Sequence, residues 1–304
     1  MALMLDRLLG EPVRWHPLVG FGSLVQRTEA LLLADRWRAG STVSLQLRGV
    51  LAVLLLVCLP AALVALGLAQ LSGVPLILVS ILLLYFTIGW RSLREHALAI
   101  AAPLQAGDMV EARRALSMIV SRDTRDLPPA RVAAGAIESV LENGSDAVLA
   151  PLFWYIVAGP AGAVGYRLAN TLDAMWGYRT ERYRAFGWAA ARLDDVLNWL
   201  PARGCAAAYA VSGNVSRAWH SWRTQGALTD SPNAGVVMAA GAGALGVQLG
   251  GAAAYRGVEH ERPELGAGLA PTPSDIGQAL SLLTRAVFVW LLVLSVLAML
   301  GWLL

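Results

Sequence analysis

The stretch GVLAVLLLVCLPAALVALGLAQLSGVPLILVSILLLYFTIGW, from Gly49 to Trp90, contains no charged residue. A helix that spans a membrane needs about 20 consecutive apolar residues, and this stretch is long enough for two. The turn sequence Ser72-Gly73-Val74-Pro75 divides it. The pattern therefore predicts two membrane helices, at 49–71 and 75–90, joined as a hairpin. Pro60 is expected to kink the first of them.

Other uncharged runs lie further along the chain. Ala286 to Leu304 predicts a third membrane helix, with Ser274-Asp275 ahead of it as the predicted N-cap. The runs 147–166 and 231–255 are also uncharged but rich in glycine, so each either spans the membrane or forms a re-entrant or buried helix. We therefore predict an all-α, polytopic integral membrane protein with about three to five membrane helices and helical cytoplasmic segments, in one domain over 1–304.

The composition supports this class and excludes several others. Hydrophobic residues make up 57% and charged residues 15%, whereas soluble proteins carry roughly 25% charged residues. The two cysteines form no CxxC pair, which argues against a disulfide scaffold or a structural zinc site. All 24 basic residues are arginine, so a phosphate loop with its lysine and a lysine Schiff base are both impossible. The net charge of +3 is spread along the chain, which argues against a nucleic-acid partner.

Arginines flank the apolar runs and indicate the topology. Residues 1–48 contain six arginines and 91–146 contain seven, whereas the turn at 72–74 contains none. Positive residues concentrate on the cytoplasmic side, so both ends of the hairpin are predicted there. If 147–166 crossed the membrane, the eight arginines between 167 and 223 would face outward. The distribution thus favours a non-spanning 147–166 and a multi-pass protein of the cytoplasmic membrane whose active site faces the cytoplasm.

Acidic residues form the first candidate site. A helix is predicted over about 129–143, and on it Glu138 and Glu142 share a face because they are four residues apart. Asn143 and Asp146 follow closely. Two carboxylates on one face repel each other, and a Mg²⁺ ion bound by oxygen ligands would balance them. The alternative is a solvated face paired with nearby arginines.

Further polar blocks alternate with the apolar runs. Each has an ordinary alternative, such as a helix cap, an internal Arg–Asp ion pair or a simple turn. The turn Ser231-Pro232-Asn233-Ala234-Gly235 has backbone amides that could hold an anion at a helix start. The other blocks are Arg122-Asp123-Thr124, Asn170-Thr171-Leu172-Asp173, Arg192-Leu193-Asp194-Asp195 with Asn198, and Pro201-Ala202-Arg203.

In this order the blocks resemble the CobD/CbiB family, the membrane-bound cobinamide (adenosylcobinamide-phosphate) synthases of cobalamin biosynthesis. The resemblance covers about residues 5 to 257. Members of the family usually carry an apolar helix before the Leu-Asp motif, whereas here four residues precede Leu5. The residues that carry the resemblance are Leu5-Asp6, Gly10-Glu11-Pro12, His16-Pro17, Ser121 to Thr124, Ala136 to Asp146, Pro151 to Trp154, Asn170 to Asp173, Gly187, Ala191 to Asp195, Asn198, Pro201 to Arg203 and Ser231 to Gly235.

The resemblance implies an amide synthesis that depends on ATP and Mg²⁺. The f-side propionate of adenosylcobyric acid would be joined to (R)-1-amino-2-propanol or to its O-phosphate. From residue type, we assign catalytic roles to Glu138, Glu142, Asp194 and Asp195, and a Mg²⁺ site to Glu138, Glu142 and Asp146. The residues assigned to substrate or phosphate binding are Arg122, Asp123, Asn143, Asn170, Asp173, Arg192, Asn198, Arg203 and Asn233.

The lipid bilayer is the first expected partner, and other membrane enzymes of cobalamin synthesis and a second copy of the chain are further candidates. Two other functions compete with the synthase. A polytopic transporter predicts charges inside spanning helices and an inverted repeat, but the charges lie between the apolar runs and no repeat is visible. A non-catalytic signalling member of the same superfamily would lack the ligase site, and the presence of every polar block argues against it.

Overall fold

The computed structural model describes residues 1–12, 16–33, 40–255 and 257–303, and helices predominate. The helices, in chain order, are α1 (Ala2–Leu9), α2 (Pro17–Leu32), α3 (Thr42–Val53), α4 (Leu59–Leu68), α5 (Gly73–Thr87), α6 (Trp90–Gln105), α7 (Met109–Ser117), α8 (Pro129–Gly144), α9 (Ala150–Trp176), α10 (Trp188–Ser212), α11 (Val215–Gln225), α12 (Ala234–Leu245) and α13 (Pro273–Leu303). Short strands follow α12: β1 (Leu249–Gly250), β2 (Ala253–Tyr255), β3 (Val258–His260) and β4 (Glu264–Leu265). The prediction of an all-α membrane protein is therefore confirmed at the level of fold class.

Four stretches of the described chain are long and apolar enough to cross a membrane, namely Thr42–Leu68, Gly73–Gln105, Pro129–Trp176 and Pro273–Val293. The first overlaps the predicted helix 49–71 but ends at Leu68, and the second contains the predicted helix 75–90. The fourth begins ahead of the predicted helix 286–304, whose last residue, Leu304, lies outside the described residues. Large apolar side chains are widely exposed along the first, second and fourth stretches, as lipid contact requires, whereas the first half of Pro129–Trp176 is mostly buried in the protein.

Pro60 in the first of these stretches directly follows an irregular turn of the helix, and the predicted kink stays a prediction. A π-helical turn, Leu54–Cys58, separates α3 from α4, and the N–H of Leu59 donates to the carbonyl of Leu54, five residues back. Pro60 itself stands in the first turn of α4, directly after this π-helical turn. The helix therefore widens just before Pro60 and continues beyond it.

The run 147–166 lies mostly within α9, which is interrupted in its middle. Ala158 and Gly159 have non-helical backbone angles, and Gly159 has a φ of 65°. This conformation suits glycine, and Pro160 follows, which removes one helical hydrogen bond. Whether the run crosses the membrane or turns back within it stays a prediction.

The run 231–255 does not form one long helix. Helix α12 has 12 residues and ends at Gly246 in the left-handed conformation, with a φ of 72°. At about 1.5 Å per residue, such a helix is too short for a hydrocarbon core of about 30 Å. Residues 235–244 are all buried in the protein. The helical part of this run is thus buried in the protein and its second half forms β1 and β2, while its relation to the membrane stays a prediction.

The chain divides into two compact units. The first comprises Met1–Trp90 and Ala150–Asn198, and the second comprises Arg91–Leu149 and Trp199–Leu304. The sequence-based assignment of a single domain over 1–304 stays a prediction.

In the first unit, α9 packs against α2, α4 and α5. Its last residue, Trp176, is buried, and its ring meets that of Phe186 edge-on with 4.8 Å between the ring centres. The indole Nε1 of Trp176 donates to the carboxylate of Glu29 at 3.0 Å. In the second unit, α8 is the central helix and packs against α7, α12 and α13. Small residues along α8 allow this close approach, and Gly135 lies directly beneath Leu116.

Candidate functional site

Glu138 lies on α8 in the second unit, and its carboxylate is 5% exposed. Oε1 accepts the backbone N–H of Gly250 at 2.8 Å. Oε2 accepts Nη2 of Arg122 and both terminal nitrogens of Arg262, the latter at 3.3 Å each. A buried carboxylate is costly unless it is paired and hydrogen-bonded, and both conditions are met here.

The loop before α8 places Arg122 beside Glu138. The N–H of Asp123 donates to the carbonyl of Ala254 at 2.8 Å, and its Oδ2 accepts the N–H of Gly257 at 2.7 Å. The hydroxyl of Thr124 donates to the carbonyl of Arg113 at 3.0 Å. Asp123 therefore fastens this loop to the β2–β3 hairpin, and its predicted role as a substrate ligand stays a prediction.

A polar cavity of about 180 Å³ opens beside Glu138. Its wall combines two guanidinium groups, two carboxylates and several neutral polar groups. The lining residues are Ile119, Val120, Ser121, Arg122, Gly135, Glu138, Ser139, Glu142, Asn143, Tyr255 and Arg262. The structure thus brings together four residues predicted for the site: Arg122, Glu138, Glu142 and Asn143. Charged groups of both signs suit a small, polar and ionised ligand.

The predicted Mg²⁺ ligands Glu138, Glu142 and Asp146 do not form a metal centre by themselves. Within the described residues no group of three or more His, Cys, Asp or Glu side chains is arranged to hold a metal. Glu138 does not fit as a ligand, because both its oxygens already accept hydrogen bonds and two guanidiniums face it. Mg²⁺ commonly takes one or two protein carboxylates together with substrate phosphates, and half-buried Glu142 lines the cavity in a position that fits this lesser role.

Asp146 belongs to different surroundings. It lies in the π-helical turn Ser145–Leu149 after α8, and its charge acts on Cys205 and Tyr209. Burial raises the pKa of the Cys205 thiol to about 12, and the Asp146 charge acts in the same direction. Cys205 is therefore a neutral thiol at physiological pH.

A second polar cluster lies in the first unit between α9 and the beginning of α10. Asp194 accepts the amide of Asn170 on Oδ1 at 3.3 Å and the amide of Asn198 on Oδ2 at 3.0 Å. Asn198 in turn accepts the hydroxyl of Tyr166 at 2.8 Å, and Asn170 accepts Nη1 of Arg167 at 3.2 Å. The predicted shared face of Asp194 and Asn198 is thus confirmed, and Asn170 joins them from the neighbouring helix.

Burial raises the pKa of Asp194, and the adjacent charge of Asp195 adds to this effect, whereas the two amide hydrogen bonds lower it. The net direction is upward. A carboxyl group whose pKa lies above the ordinary value, held by two amides in a polar network, has the properties of a proton acceptor or donor. Asp194 is therefore the residue of this cluster best suited to acid–base chemistry.

Asp195 has a different environment. Its carboxylate pairs with Arg192 at 3.0 Å, and the two side chains are 19% and 53% exposed. Burial raises the pKa of Asp195, while Arg192 and Arg179 lower it. This is the internal ion pair that the sequence offered as an alternative, and exposed pairs of this kind contribute little to stability. Catalysis by Asp195 and binding by Arg192 stay predictions.

Arg203 and Asn233 meet in the second unit. The guanidinium of Arg203 stacks over Trp199, 4.2 Å from the ring centre, and its Nη1 donates to the Asn233 side chain at 3.2 Å. Burial lowers the pKa of Arg203. The amides of Asn233 and Ala234 donate to the hydroxyl of Ser231. This turn therefore caps α12 with its own side chain, and those two amides are not open to an anion.

Asp173 and Asn143 lie close to neighbouring groups of their own helices, and their predicted binding roles stay predictions. Asp173 is half-buried where α9 ends, and its carboxylate lies against the α-carbon of Gly177. Asn143 donates to the carbonyl of Ser139 at 2.9 Å and to its hydroxyl at 3.1 Å. Asn143 is exposed and remains a wall of the cavity.

Sequence reasoning did not identify Arg262, Gly250 or Tyr255. Arg262 lies in the segment between β3 and β4, more than one hundred residues after Glu138. The signal that could have found it is the charged block Glu259-His260-Glu261-Arg262, which begins four residues after the uncharged run 231–255 ends. Charged groups beside apolar segments are costly unless they are paired or used.

The comparisons with known proteins agree with these observations. Residues 1–283 match the family model described as CobD/Cbib protein. A protein of Chromobacterium violaceum named cobalamin biosynthesis protein CobD is 55% identical over 290 residues, which cover 95% of this chain and 92% of that protein. Its namesake in Stutzerimonas stutzeri is 57% identical over 296 residues, covering 96% and 94%.

A more distant namesake from Halalkalibacterium halodurans is 41% identical over 313 residues, which cover 97% of this chain and 94% of that protein. No solved structure matches the chain. The family model covers most of the chain and the relatives cover nearly all of it, so the resemblance drawn from the polar blocks is confirmed. The chain belongs to the CobD/CbiB family.

Proposed function

We propose that this protein is a membrane enzyme of cobalamin biosynthesis, a cobinamide (phosphate) synthase. It joins (R)-1-amino-2-propanol or its O-phosphate to the f-propionate of adenosylcobyric acid, and ATP drives the reaction. The observation that carries the proposal is the family match over residues 1–283, together with relatives that are named cobalamin biosynthesis protein CobD.

The chemistry requires activation of the carboxylate. One carboxylate oxygen attacks phosphorus of ATP, which gives an acyl phosphate and ADP or an acyl adenylate and pyrophosphate. The amine nitrogen then attacks the carbonyl carbon, the bond from that carbon to the activated oxygen breaks, and phosphate or AMP leaves. The nitrogen loses a proton to a base. The site must therefore hold phosphoryl groups, orient a carboxylate and accept a proton.

The described residues supply groups for each of these tasks. Arg122 and Arg262 present guanidinium groups to the polar cavity in the second unit, and arginine binds phosphate and carboxylate through paired N–H groups. Glu142, on the same wall, is the candidate carboxylate for Mg²⁺ that arrives with ATP. The first unit has its own acid–base candidate, Asp194, whose pKa is raised by burial.

The cellular setting is part of the proposal. The four membrane-capable stretches support an integral membrane protein, and the arginine distribution supports a cytoplasmic location for residues 91–146 and 167–230. ATP and Mg²⁺ are available on that side of the membrane.

The experiment that tests this function uses membranes containing the unchanged protein. They are incubated with adenosylcobyric acid, ATP, Mg²⁺ and each of the two amines, and corrinoid products are identified by mass. A product heavier by one amine minus one water, formed only when ATP is present, is expected with at least one amine. Membranes without the protein provide the control. If neither amine is incorporated, the proposed function is wrong.

A further inference from the structure

Arg262 reaches Glu138 because its chain segment is tied to α8 and to the preceding loop. Backbone and side-chain contacts make these attachments. Arg131 donates to the carbonyl of Gly250, whose N–H donates to Glu138. Asp123 binds Ala254 and Gly257 of the β2–β3 hairpin. The position of Arg262 is thus set by several independent contacts rather than by its ion pair alone.

Glu138 holds two guanidinium groups beside each other. The side chains of Arg122 and Arg262 are 11% and 22% exposed, and two cations so close together repel each other strongly in such surroundings. The Glu138 carboxylate between them offsets this repulsion. One carboxylate and two guanidiniums leave one positive charge at this wall of the cavity.

Both arginines retain N–H groups for a ligand. A guanidinium has five N–H donors. In the described part of the chain Arg122 uses Nη2 on Glu138, and Arg262 uses Nη1 and Nη2 on one oxygen at 3.3 Å. Gly135 leaves room for Arg122, since a β-carbon there would lie 3.3 Å from Nη2.

A second, wider cavity of about 480 Å³ also has Arg122 in its wall. Three more arginines line it, and their charge makes the approach to Arg122 strongly positive. The charge of Arg114 is partly balanced by its ion pair with Glu111, which lies outside the lining. Among the lining residues themselves, Asp123 is the single acidic one. The lining residues are Val110, Arg113, Arg114, Ser117, Arg122, Asp123, Thr124 and Arg125.

We propose that Arg122 and Arg262 form a phosphoryl-binding clamp, and that Glu138 is the positioning residue that holds them in place. A phosphoryl group carries up to two negative charges and several acceptor oxygens, which match two guanidiniums and a positive approach better than a singly charged carboxylate does. The identity of the phosphoryl compound in this inference rests on the proposed function. Binding of a phosphoryl group by the two arginines does not depend on that function. Glu138 accordingly neither binds Mg²⁺ nor acts as a base.

The clamp is tested first by binding, without turnover. Thermal unfolding of the full chain in detergent is followed against rising inorganic phosphate, for the unchanged protein, Arg262→Gln and the control Arg91→Gln, whose ion pair with Glu95 is exposed. We expect phosphate to raise the midpoint of the unchanged protein and of the control. Arg262→Gln should need about tenfold to a hundredfold more phosphate for the same shift.

Two results of this experiment would overturn the clamp. One is the absence of any phosphate-dependent shift in the unchanged protein. The other is a phosphate response in Arg262→Gln equal to that of Arg91→Gln. Neither result depends on amide formation, so the clamp and the proposed function can fail separately.

Kinetics then identify the source of the phosphoryl group. In Arg262→Gln, a raised KM for ATP alone assigns the clamp to the nucleotide, and a raised KM for aminopropanol phosphate alone assigns it to the amine donor. Glu138→Gln should raise the same KM as Arg262→Gln while the Mg²⁺ concentration for half-maximal rate stays unchanged. A KM unchanged in Arg262→Gln, or a Mg²⁺ requirement raised in Glu138→Gln, contradicts the assignment. If Glu138→Gln does not fold, Arg262→Gln still decides the matter.

Discussion

The carboxylate of Glu138 on α8 accepts the backbone N–H of Gly250 in strand β1 at 2.8 Å. This contact joins residues that are 112 positions apart. It ties the short β segment to the central helix of the second unit and brings Arg262 to the same carboxylate. A single acidic side chain therefore organises the polar wall of the cavity.

Glu138 should be important for stability as well as for the cavity. Glu138→Gln keeps the shape but leaves two poorly exposed guanidiniums without their counter-charge, and breaking a buried ion pair costs about 3–5 kcal/mol. We expect a large fall in the thermal midpoint in detergent. The control Glu95→Gln removes an exposed partner of Arg91 and should change it little. Equal effects of the two substitutions would show that the Glu138 contacts contribute no more than a surface pair.

Glu142 should affect the response to Mg²⁺. Glu142→Gln removes one charge from the cavity wall while keeping the size of the side chain, so a carboxylate that helps hold Mg²⁺-ATP should lose activity that higher Mg²⁺ partly restores. The rate is measured against Mg²⁺ at fixed ATP. Unchanged turnover and an unchanged dependence of the rate on Mg²⁺ would show that Glu142 does not help to bind Mg²⁺.

Substitution to asparagine should have different effects on activity at Asp194 and at Asp195. Asp194→Asn removes the proton acceptor from its network and should abolish amide formation while the protein stays folded in the membrane. Asp195→Asn weakens a half-exposed pair with Arg192, which is worth about 0–1 kcal/mol, and should retain most of the activity. Near-normal yield from Asp194→Asn would remove it from the mechanism.

The raised pKa of Asp194 predicts the direction of a pH effect on stability. The folded state favours the protonated carboxyl, so this contribution is complete below the unfolded pKa of about 3.9 and is lost as pH rises through the higher folded value. The difference in the free energy of unfolding between the unchanged protein and Asp194→Asn isolates the contribution of this carboxyl group. We expect this difference to fall as pH rises from about 4. A difference that is constant or rises with pH would contradict the direction assigned.

The topology can be checked by cysteine labelling. In a background with Cys58 and Cys205 replaced by serine, single cysteines at Ser121 and Thr180 should both react from the cytoplasmic side, as the flanking arginines indicate. Intact and permeabilised cells are compared with a membrane-impermeant reagent. Labelling from opposite sides would show that the chain crosses the membrane between these positions.

The apolar segments were largely predictable, because uncharged runs of this length have few alternatives in water. The helix around Glu138 and the shared face of Asp194 and Asn198 also followed from helical spacing. Spacing could not show that α12 would stop at Gly246, since the run remains uncharged beyond it and only the left-handed glycine marks the end.

The partners of the acidic residues were less predictable, since they come from distant parts of the chain. The repulsion between Glu138 and Glu142 suggested a cation, and the structure supplies Arg122 and Arg262 to Glu138 instead. Arg262 is placed there by contacts of the β segment, which local patterns do not encode. Asn170 likewise reaches Asp194 from another helix.

The most direct test of the central claim follows an oxygen atom. Adenosylcobyric acid is labelled with ¹⁸O in its f-carboxylate and incubated with the unchanged protein, ATP, Mg²⁺ and the amine that reacts. ATP-driven amide formation predicts that one labelled oxygen per product appears in inorganic phosphate, or in AMP if an adenylate forms, while the amide keeps the other. Amide product without ¹⁸O in either phosphate or AMP, or no amide product at all, would contradict the account.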